Sequence, residues 1–131
     1  MARFLVVHGI ADVRRTLVKQ IAAAEPKAEV KESSWGHEGL QIDAAWQPDA
    51  VFIGLIFAND APDVSTLRSL IEARPARPVV LCTVLPREDP NVVQALSLGA
   101  VAYVPQPMPP GALRETLAIL EPMIGGRRRV R

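Results

Sequence analysis

Short runs of apolar residues alternate along the chain with longer segments in which apolar residues recur every three or four positions. A run such as Phe4 to Val7 is too short for a helix and does not alternate with polar residues, so it predicts a strand buried on both faces. The strand predicted between the first two helices rests on a weaker, alternating pattern. Predicted strands cover residues 4–7, 28–32, 50–57, 79–82 and 101–104.

The segments that follow the strands predict five amphipathic helices. After Asp12, for example, Val13, Leu17 and Ile21 fall on one face of a helix that Pro26 ends. Asp63 and Asp89 are predicted N-caps, and Gly99 is placed where a helix C-terminus favours a left-handed residue. The other predicted helices cover residues 35–46, 64–73, 90–98 and 110–121.

Five buried strands that alternate with five helices predict an α/β fold. A parallel sheet can bury both of its faces only if helices cover both, which gives a doubly wound five-stranded sheet. The flavodoxin-like strand order 2-1-3-4-5 is the version that we expect. A ligand site then belongs at the carboxyl ends of the strands, beside the switch point between the first and third strands.

The composition is that of one folded domain. With 131 residues, 49% of them hydrophobic and 22% charged, the chain can form a single core and is too apolar for general disorder. Cys82 is the only cysteine, which excludes an internal disulfide and a multi-cysteine zinc site and favours a reducing, cytoplasmic location. No apolar run approaches the roughly 20 residues that span a bilayer, so we expect no membrane partner.

Positive charge is concentrated at the C-terminus. A Gly-Gly pair is followed by four arginines, Arg127, Arg128, Arg129 and Arg131. Without them, 11 basic residues face 14 acidic ones. Because a nucleic-acid footprint should lie along a face of the fold, we predict a domain over residues 1–124 and a flexible basic tail over 125–131. Contact of the tail with nucleic acid is the less favoured alternative.

Several residues are expected at the carboxyl ends of the strands. They are His8 and Gly9 after the first strand, Gly54 in the third, Thr83 after the fourth and Gln106 after the fifth. Their spacing resembles that of a bacterial response-regulator receiver domain of the CheY-like superfamily. The resemblance covers residues 4–121. Its clearest motifs are Pro48-Asp49, the segment 78–83, Leu98-Gly99-Ala100 and the segment 103–107.

In receiver domains these positions carry phosphoryl-transfer chemistry: an acidic pair holds magnesium, an aspartate accepts the phosphoryl group, and a Lys-Pro pair follows the fifth strand. His8-Gly9, Gly54 and Gln106 replace them here, and only Thr83 matches. Magnesium prefers carboxylate oxygens, and glycine has no nucleophile. The resemblance therefore implies a degenerate pseudo-receiver that is not an enzyme and has no catalytic residue, metal or cofactor.

Two other aspartates leave an alternative open. Asp12 and Asp60 lie in nearby segments and could restore an acidic site, although such residues ordinarily cap helices or turns.

Within the receiver-like families, residues 49–57 and the pair Gln106-Pro107 resemble the N-terminal domain of AmiR/NasT-type antitermination regulators. Members of that family carry an RNA-binding ANTAR domain after the receiver-like part, and nothing in this sequence matches it. Resemblance to receivers also implies a cis peptide bond between Gln106 and Pro107.

A protein partner or a second copy of the chain is the expected partner. Tyr103 matches the switch aromatic of receivers, and with Leu96 and Leu113 it forms a predicted interaction face, suited to a homodimer.

Three functions stay open. The first, which we favour, is a phosphorylation-independent interaction module in bacterial signalling and gene regulation. The second is the receiver-like part of a regulator whose RNA-binding output is absent from this chain. The third is a sensor that binds a small ligand in the emptied phosphorylation cleft, which is formed by His8, Gly9, Gly54, Thr83 and Gln106.

Overall fold

A central parallel sheet of five strands organises the fold. The computed structural model describes residues 2–34, 36–58 and 61–129. The strands are β1 (Arg3–Val7), β2 (Glu29–Ser33), β3 (Ala50–Gly54), β4 (Ile56–Ala58), β5 (Ala61–Asp63), β6 (Val79–Thr83) and β7 (Ala102–Pro105). The helices are α1 (Ala11–Ala24), α2 (Gly36–Trp46), α3 (Ser65–Ala73), α4 (Pro90–Leu98) and α5 (Ala112–Arg129). The sheet order β2-β1-β3-β6-β7 confirms the predicted order 2-1-3-4-5 for the five strands of the main sheet.

Burial along the strands follows their positions in the sheet. Every residue of β3 and β6 is buried, because strands in the middle of a parallel sheet are covered on both faces. The edge strand β2 is mostly exposed, which explains its weaker apolar pattern.

Helices cover the sheet on both sides and form two separate cores. On one side, Leu17 of α1 and Leu120 of α5 belong to the same core as Phe52 of β3. On the other side, α2, α3 and α4 cover the sheet, and Leu67 and Val92 belong to that core. The two-sided cover confirms the doubly wound architecture.

A buried ion pair joins α2 to the segment before β6. Both terminal guanidinium nitrogens of Arg77 donate to the carboxylate of Asp43, and Nη2 also donates to the carbonyl of Leu70 at 2.8 Å. Asp43 and Arg77 are almost completely buried. Loss of Asp43 would leave the Arg77 guanidinium charge uncompensated in the interior, so the pair stabilises the observed position of α2.

The predicted helix caps are partly confirmed. The Asp89 carboxylate accepts from the backbone nitrogen of Asn91 at 2.8 Å, and Gly99 has a φ of 126° after α4. The prediction that Asp63 is the N-cap of the helix that follows it is wrong. Asp63 is the last residue of β5, and Val64 is the N-cap residue without a capping side chain.

The single strand predicted over residues 50–57 is wrong beyond Gly54. The pairing of β3 ends at Ile53 with β1 and at Gly54 with β6. Among the described residues beyond this point, β4 pairs antiparallel with β5 in a separate two-stranded sheet. Of the predicted helix over 35–46, Trp35 lies outside the described residues.

Helix α5 extends past its predicted end at Glu121 and reaches Arg129. Pro122 lies inside it, although a proline in a helix interior removes one backbone donor and its ring crowds the carbonyl four residues earlier. Whether residues 125–131 form a separate, flexible tail stays a prediction. Within the described part of the chain, no helix is both long and apolar enough to span a membrane.

Candidate functional site

The carboxyl edge of the sheet brings four of the five predicted site residues together. The imidazole Nε2 of His8, directly after β1, lies 3.1 Å from the carboxamide Oε1 of Gln106, directly after β7. The backbone nitrogen of Gln106 donates to the carbonyl of Thr83 at 3.0 Å. Gly54, the last residue of β3, lies against the His8 ring. Gly9 is exposed and does not contribute to this cluster.

The His8 ring fills the space that a side chain at position 54 would need. A Cβ atom built on Gly54 would lie 2.4 Å from Cδ2 of His8 and 2.7 Å from Nε2. Contacts this short do not occur in folded proteins, so a side chain at position 54 and the observed His8 ring exclude each other. The cleft that the sequence predicted to be emptied is therefore occupied by His8, which is only 6% exposed.

Hydrogen bonds fix the tautomer of His8. Nδ1 accepts from the backbone nitrogen of Ile10 at 3.1 Å, so the ring proton is on Nε2, which donates to Gln106. Burial lowers the pKa of His8 below its ordinary value of 6.5, and the nearby Arg14 guanidinium lowers it further, whereas the bond to Gln106 acts in the opposite direction. The hydrogen bonds to Ile10 and Gln106 are those that a neutral imidazole makes, with one ring nitrogen accepting and the other donating.

The described residues at this edge do not fit a magnesium ion. The Asp12 side chain is 96% exposed and lies 3.9 Å from Arg15, and Asp60 lies outside the described residues. Among the residues that the structure describes, no three His, Cys, Asp or Glu side chains are grouped so as to hold a metal. Gln106 and Thr83 offer only neutral oxygens, and both already accept hydrogen bonds.

Thr83 and Tyr103 hold the loop after β6. The Thr83 hydroxyl accepts from the backbone nitrogen of Leu85 at 3.1 Å, and the Tyr103 hydroxyl donates to the carbonyl of Leu85 at 2.6 Å. The Arg87 guanidinium lies over the Tyr103 ring, 5.8 Å from its centroid. Thr83 thus has a structural role at the strand end, and Tyr103 is held half-buried.

The predicted interaction face needs one correction. Tyr103 and Leu96 are half-buried, but Leu113 is 8% exposed and belongs to the core between α1, α5 and the sheet. Leu113 points inwards because it shares one helix face with the core residues Leu117 and Leu120. The exposed apolar residues near Tyr103 are Val101 and Ile119, which the sequence analysis did not select.

Val101 and Ile119 line a shallow depression of about 490 Å³ together with Tyr103, Arg87 and Glu115. We call the surface formed by these five residues the β7 face. Val101 is 37% exposed and Ile119 is 47% exposed. The sequence did indicate that Ile119 lies outside the core, because Ile119 does not share the helical spacing of the core leucines of α5.

Two further predictions are confirmed. The Gln106-Pro107 peptide bond is cis. Cys82 is completely buried in β6, and burial raises the pKa of its thiol to about 12, as expected for a small core residue.

Comparison with the sequences of known proteins finds bacterial relatives that the chain matches over part of their length. No known family model matches the chain. The chain is 32% identical over 114 residues to protein-glutamate methylesterase/protein-glutamine glutaminase 3 of Anaeromyxobacter dehalogenans, which is 86% of this chain and 32% of that protein. A protein of the same name from Vibrio cholerae is 30% identical over 106 residues. The chain spans about a third of the length of these curated relatives.

Solved structures match over nearly the whole chain. A CheY-like response regulator receiver domain protein from Methanospirillum hungatei superposes with a TM-score of 0.79 at 22% identity, covering 94% of this chain and 96% of that one. A response regulator receiver domain protein from Clostridium thermocellum gives 0.79 at 20% identity, with both chains covered completely.

Proposed function

Since the chain has the fold of a CheY-like response-regulator receiver domain, we propose that it is a pseudo-receiver, a non-enzymatic module of two-component signalling that works without phosphorylation. It acts by binding another protein or a second copy of itself. A cytoplasmic location suits its single, buried thiol.

The observation that carries this proposal is the position of the His8 ring against Gly54. A receiver accepts phosphoryl at the end of its third strand, where this chain has a glycine and a neighbouring imidazole in the space of the missing side chain. The ring is held on both nitrogens, by Gln106 and by the backbone of Ile10. The site thus differs from a receiver site in two ways: it has no aspartate at position 54, and the His8 ring occupies the space beside that position.

The chemistry of phosphoryl transfer supports the same reading. Such transfer depends on positioning and on neutralising charge that develops on the phosphoryl oxygens. Gln106 is neutral where receivers have a lysine, and among the described residues no three His, Cys, Asp or Glu side chains are grouped so as to hold a metal. The acceptor, the metal and the lysine are therefore lost together.

Incubation with acetyl phosphate and magnesium tests this proposal. We expect the intact mass of the chain to stay unchanged, because no acceptor is present at position 54. The matched control is the same incubation without magnesium. A magnesium-dependent gain of one phosphoryl group would show that another carboxylate has taken over the acceptor role and would refute phosphorylation independence.

The β7 face supports a role in protein binding. It presents apolar Val101 and Ile119 around a tyrosine that two contacts hold in place. Arg87 and Glu115 give the same surface both signs of charge, which suits pairing with an identical surface. We therefore assign homodimer formation to this face.

Kinship with AmiR/NasT-type regulators, and with it an RNA-binding output beyond this chain, rests on the sequence motifs alone and stays a prediction. A small ligand inside the cleft is disfavoured, since His8 fills the space beside Gly54.

A further inference from the structure

A groove of about 460 Å³ lies beside the occupied cleft, between α1 and the segment after β7. Its wall is mainly apolar and includes Val13, Leu17, Val84, Pro107 and Met108. We call this feature the α1 groove. Val84 is 63% exposed, so a large aliphatic side chain borders the groove without protein cover among the described residues.

We propose that the α1 groove binds a small neutral molecule with an apolar body and one hydrogen-bond acceptor, such as a carbonyl oxygen. The volume falls within the range of small-molecule sites, roughly 300–1,000 Å³. An apolar wall with few polar groups is also typical of such sites. This proposal concerns a different space from the cleft and goes beyond the proposed function.

Gln106 supplies the polar contact. It lines the groove, and its carboxamide Oε1 is already bound by Nε2 of His8. That bond orients the carboxamide, and its nitrogen has no partner among the described residues. Two N–H donors are thus left for a ligand, which calls for an acceptor on the ligand rather than a donor.

The charge of the lining excludes anions. Among the described residues that line the groove, Asp12 is the only charged one, and no lysine or arginine is present. A phosphate or carboxylate would find no positive partner here and would meet the Asp12 carboxylate. The ligand class therefore differs from the phosphoryl group that a receiver cleft handles.

The same Gln106 contact connects the groove to His8. A ligand that accepts a hydrogen bond from the carboxamide nitrogen polarises the whole carboxamide, including the oxygen that His8 binds. Occupation of the groove should therefore be visible at the His8 ring, although the ligand does not touch it.

Titration with benzamide, followed by ¹H–¹⁵N nuclear magnetic resonance, tests this proposal. We expect saturable shifts at Val13, Val84 and Met108 and at the His8 ring, with half-saturation at about 1 mM for so small a ligand. Benzoate has the same ring with a carboxylate in place of the carboxamide. It should bind at least about tenfold more weakly, because it lacks a cationic partner.

Two neighbouring positions on α1 supply matched variants. Thr16→Phe places an aromatic ring in the groove and should weaken benzamide binding at least about tenfold, whereas Arg15→Phe should leave it unchanged. A well-dispersed spectrum of each variant shows that it is folded.

Three results would overturn the proposal: no saturable shift with benzamide, equal binding of benzoate, or unchanged binding by Thr16→Phe. None of them bears on phosphorylation, which the acetyl phosphate experiment decides separately.

Discussion

Gly9 and Gly54 lie at the same edge of the sheet, yet a side chain added at each meets different surroundings. At Gly9 the nearest atom to an added Cβ is the carbonyl oxygen of Ser34 at 4.0 Å, which is ordinary contact. At Gly54 the added Cβ meets three atoms of the His8 ring within 3 Å. Gly9 can thus be replaced by a residue with a side chain, whereas a side chain at position 54 would clash with the His8 ring.

Gly54→Asp should lower the free energy of unfolding by about 2 kcal/mol, because the His8 ring must leave its place and lose its hydrogen bonds. Gly9→Asp is the control and should change it by less than about 0.5 kcal/mol. Adding His8→Ala to Gly54→Asp should recover part of the loss, so that the two substitutions are not additive in urea unfolding. Strict additivity would mean that the ring does not compete with a side chain at position 54.

The His8 ring also predicts a pH dependence of stability. Its pKa in the folded chain is below the value of about 6.5 expected when the chain is unfolded. As the pH falls below about 6.5, the unfolded chain gains a proton that the folded chain resists, so the free energy of unfolding decreases down to the folded pKa.

Urea unfolding from about pH 7.5 to about pH 5 measures this effect. His8→Asn should flatten the profile in that range, whereas His37→Asn, at an exposed position of α2, should leave it as in the wild type. A profile that keeps its slope in His8→Asn would assign the dependence to other groups.

Helix α5 presents apolar residues on two faces, and only one of these faces packs in the core. Leu113, Leu117 and Leu120 face α1 and the sheet, whereas Ile119 projects from the β7 face. Ile119→Arg places a charge in the centre of the proposed dimer contact and should weaken dimerisation at least about tenfold in sedimentation equilibrium.

Ala22→Arg adds the same charge at an exposed position of α1 and serves as its control. Equal weakening by both substitutions, or by neither, would exclude the β7 face as the dimer contact.

The elements of this fold were largely readable from the sequence because buried parallel strands are continuous apolar runs. The features that could not be predicted depend on contacts between distant parts of the chain. Residues 56–58 continue the apolar run of β3, but the pairing of β3 with β6 ends at Gly54 and residues 56–58 pair antiparallel with 61–63 instead. The Asp43–Arg77 pair joins residues 34 positions apart, which no local pattern indicates.

The sequence indicated which residues lie at the candidate site but not how their side chains are arranged. Spacing correctly placed His8, Gly54, Thr83 and Gln106 at one edge of the sheet. It could not show that the His8 ring turns towards Gly54, since side-chain direction at a strand end depends on the tertiary contacts of that ring. Leu113 was misplaced on the interaction face because its role depends on which side of α5 meets α1.

The whole molecule combines an occupied cleft at one edge of the sheet with an exposed apolar face along β7 and α5. In a phosphorylation switch, the chemistry of the cleft would control such a face through the loop between them. Here that loop is held by Thr83 and Tyr103, which both bond to Leu85. Binding at the β7 face should therefore be constitutive and depend on protein concentration alone.

Molar mass by light scattering, at two protein concentrations and with or without beryllofluoride and magnesium, tests the central claim most directly. Beryllofluoride with magnesium mimics a phosphoryl group on an acceptor aspartate, so it needs the groups that this cleft lacks. We predict that the dimer fraction follows protein concentration and ignores both additions. A change of oligomeric state that requires beryllofluoride and magnesium together would show a working acidic site and contradict the pseudo-receiver account.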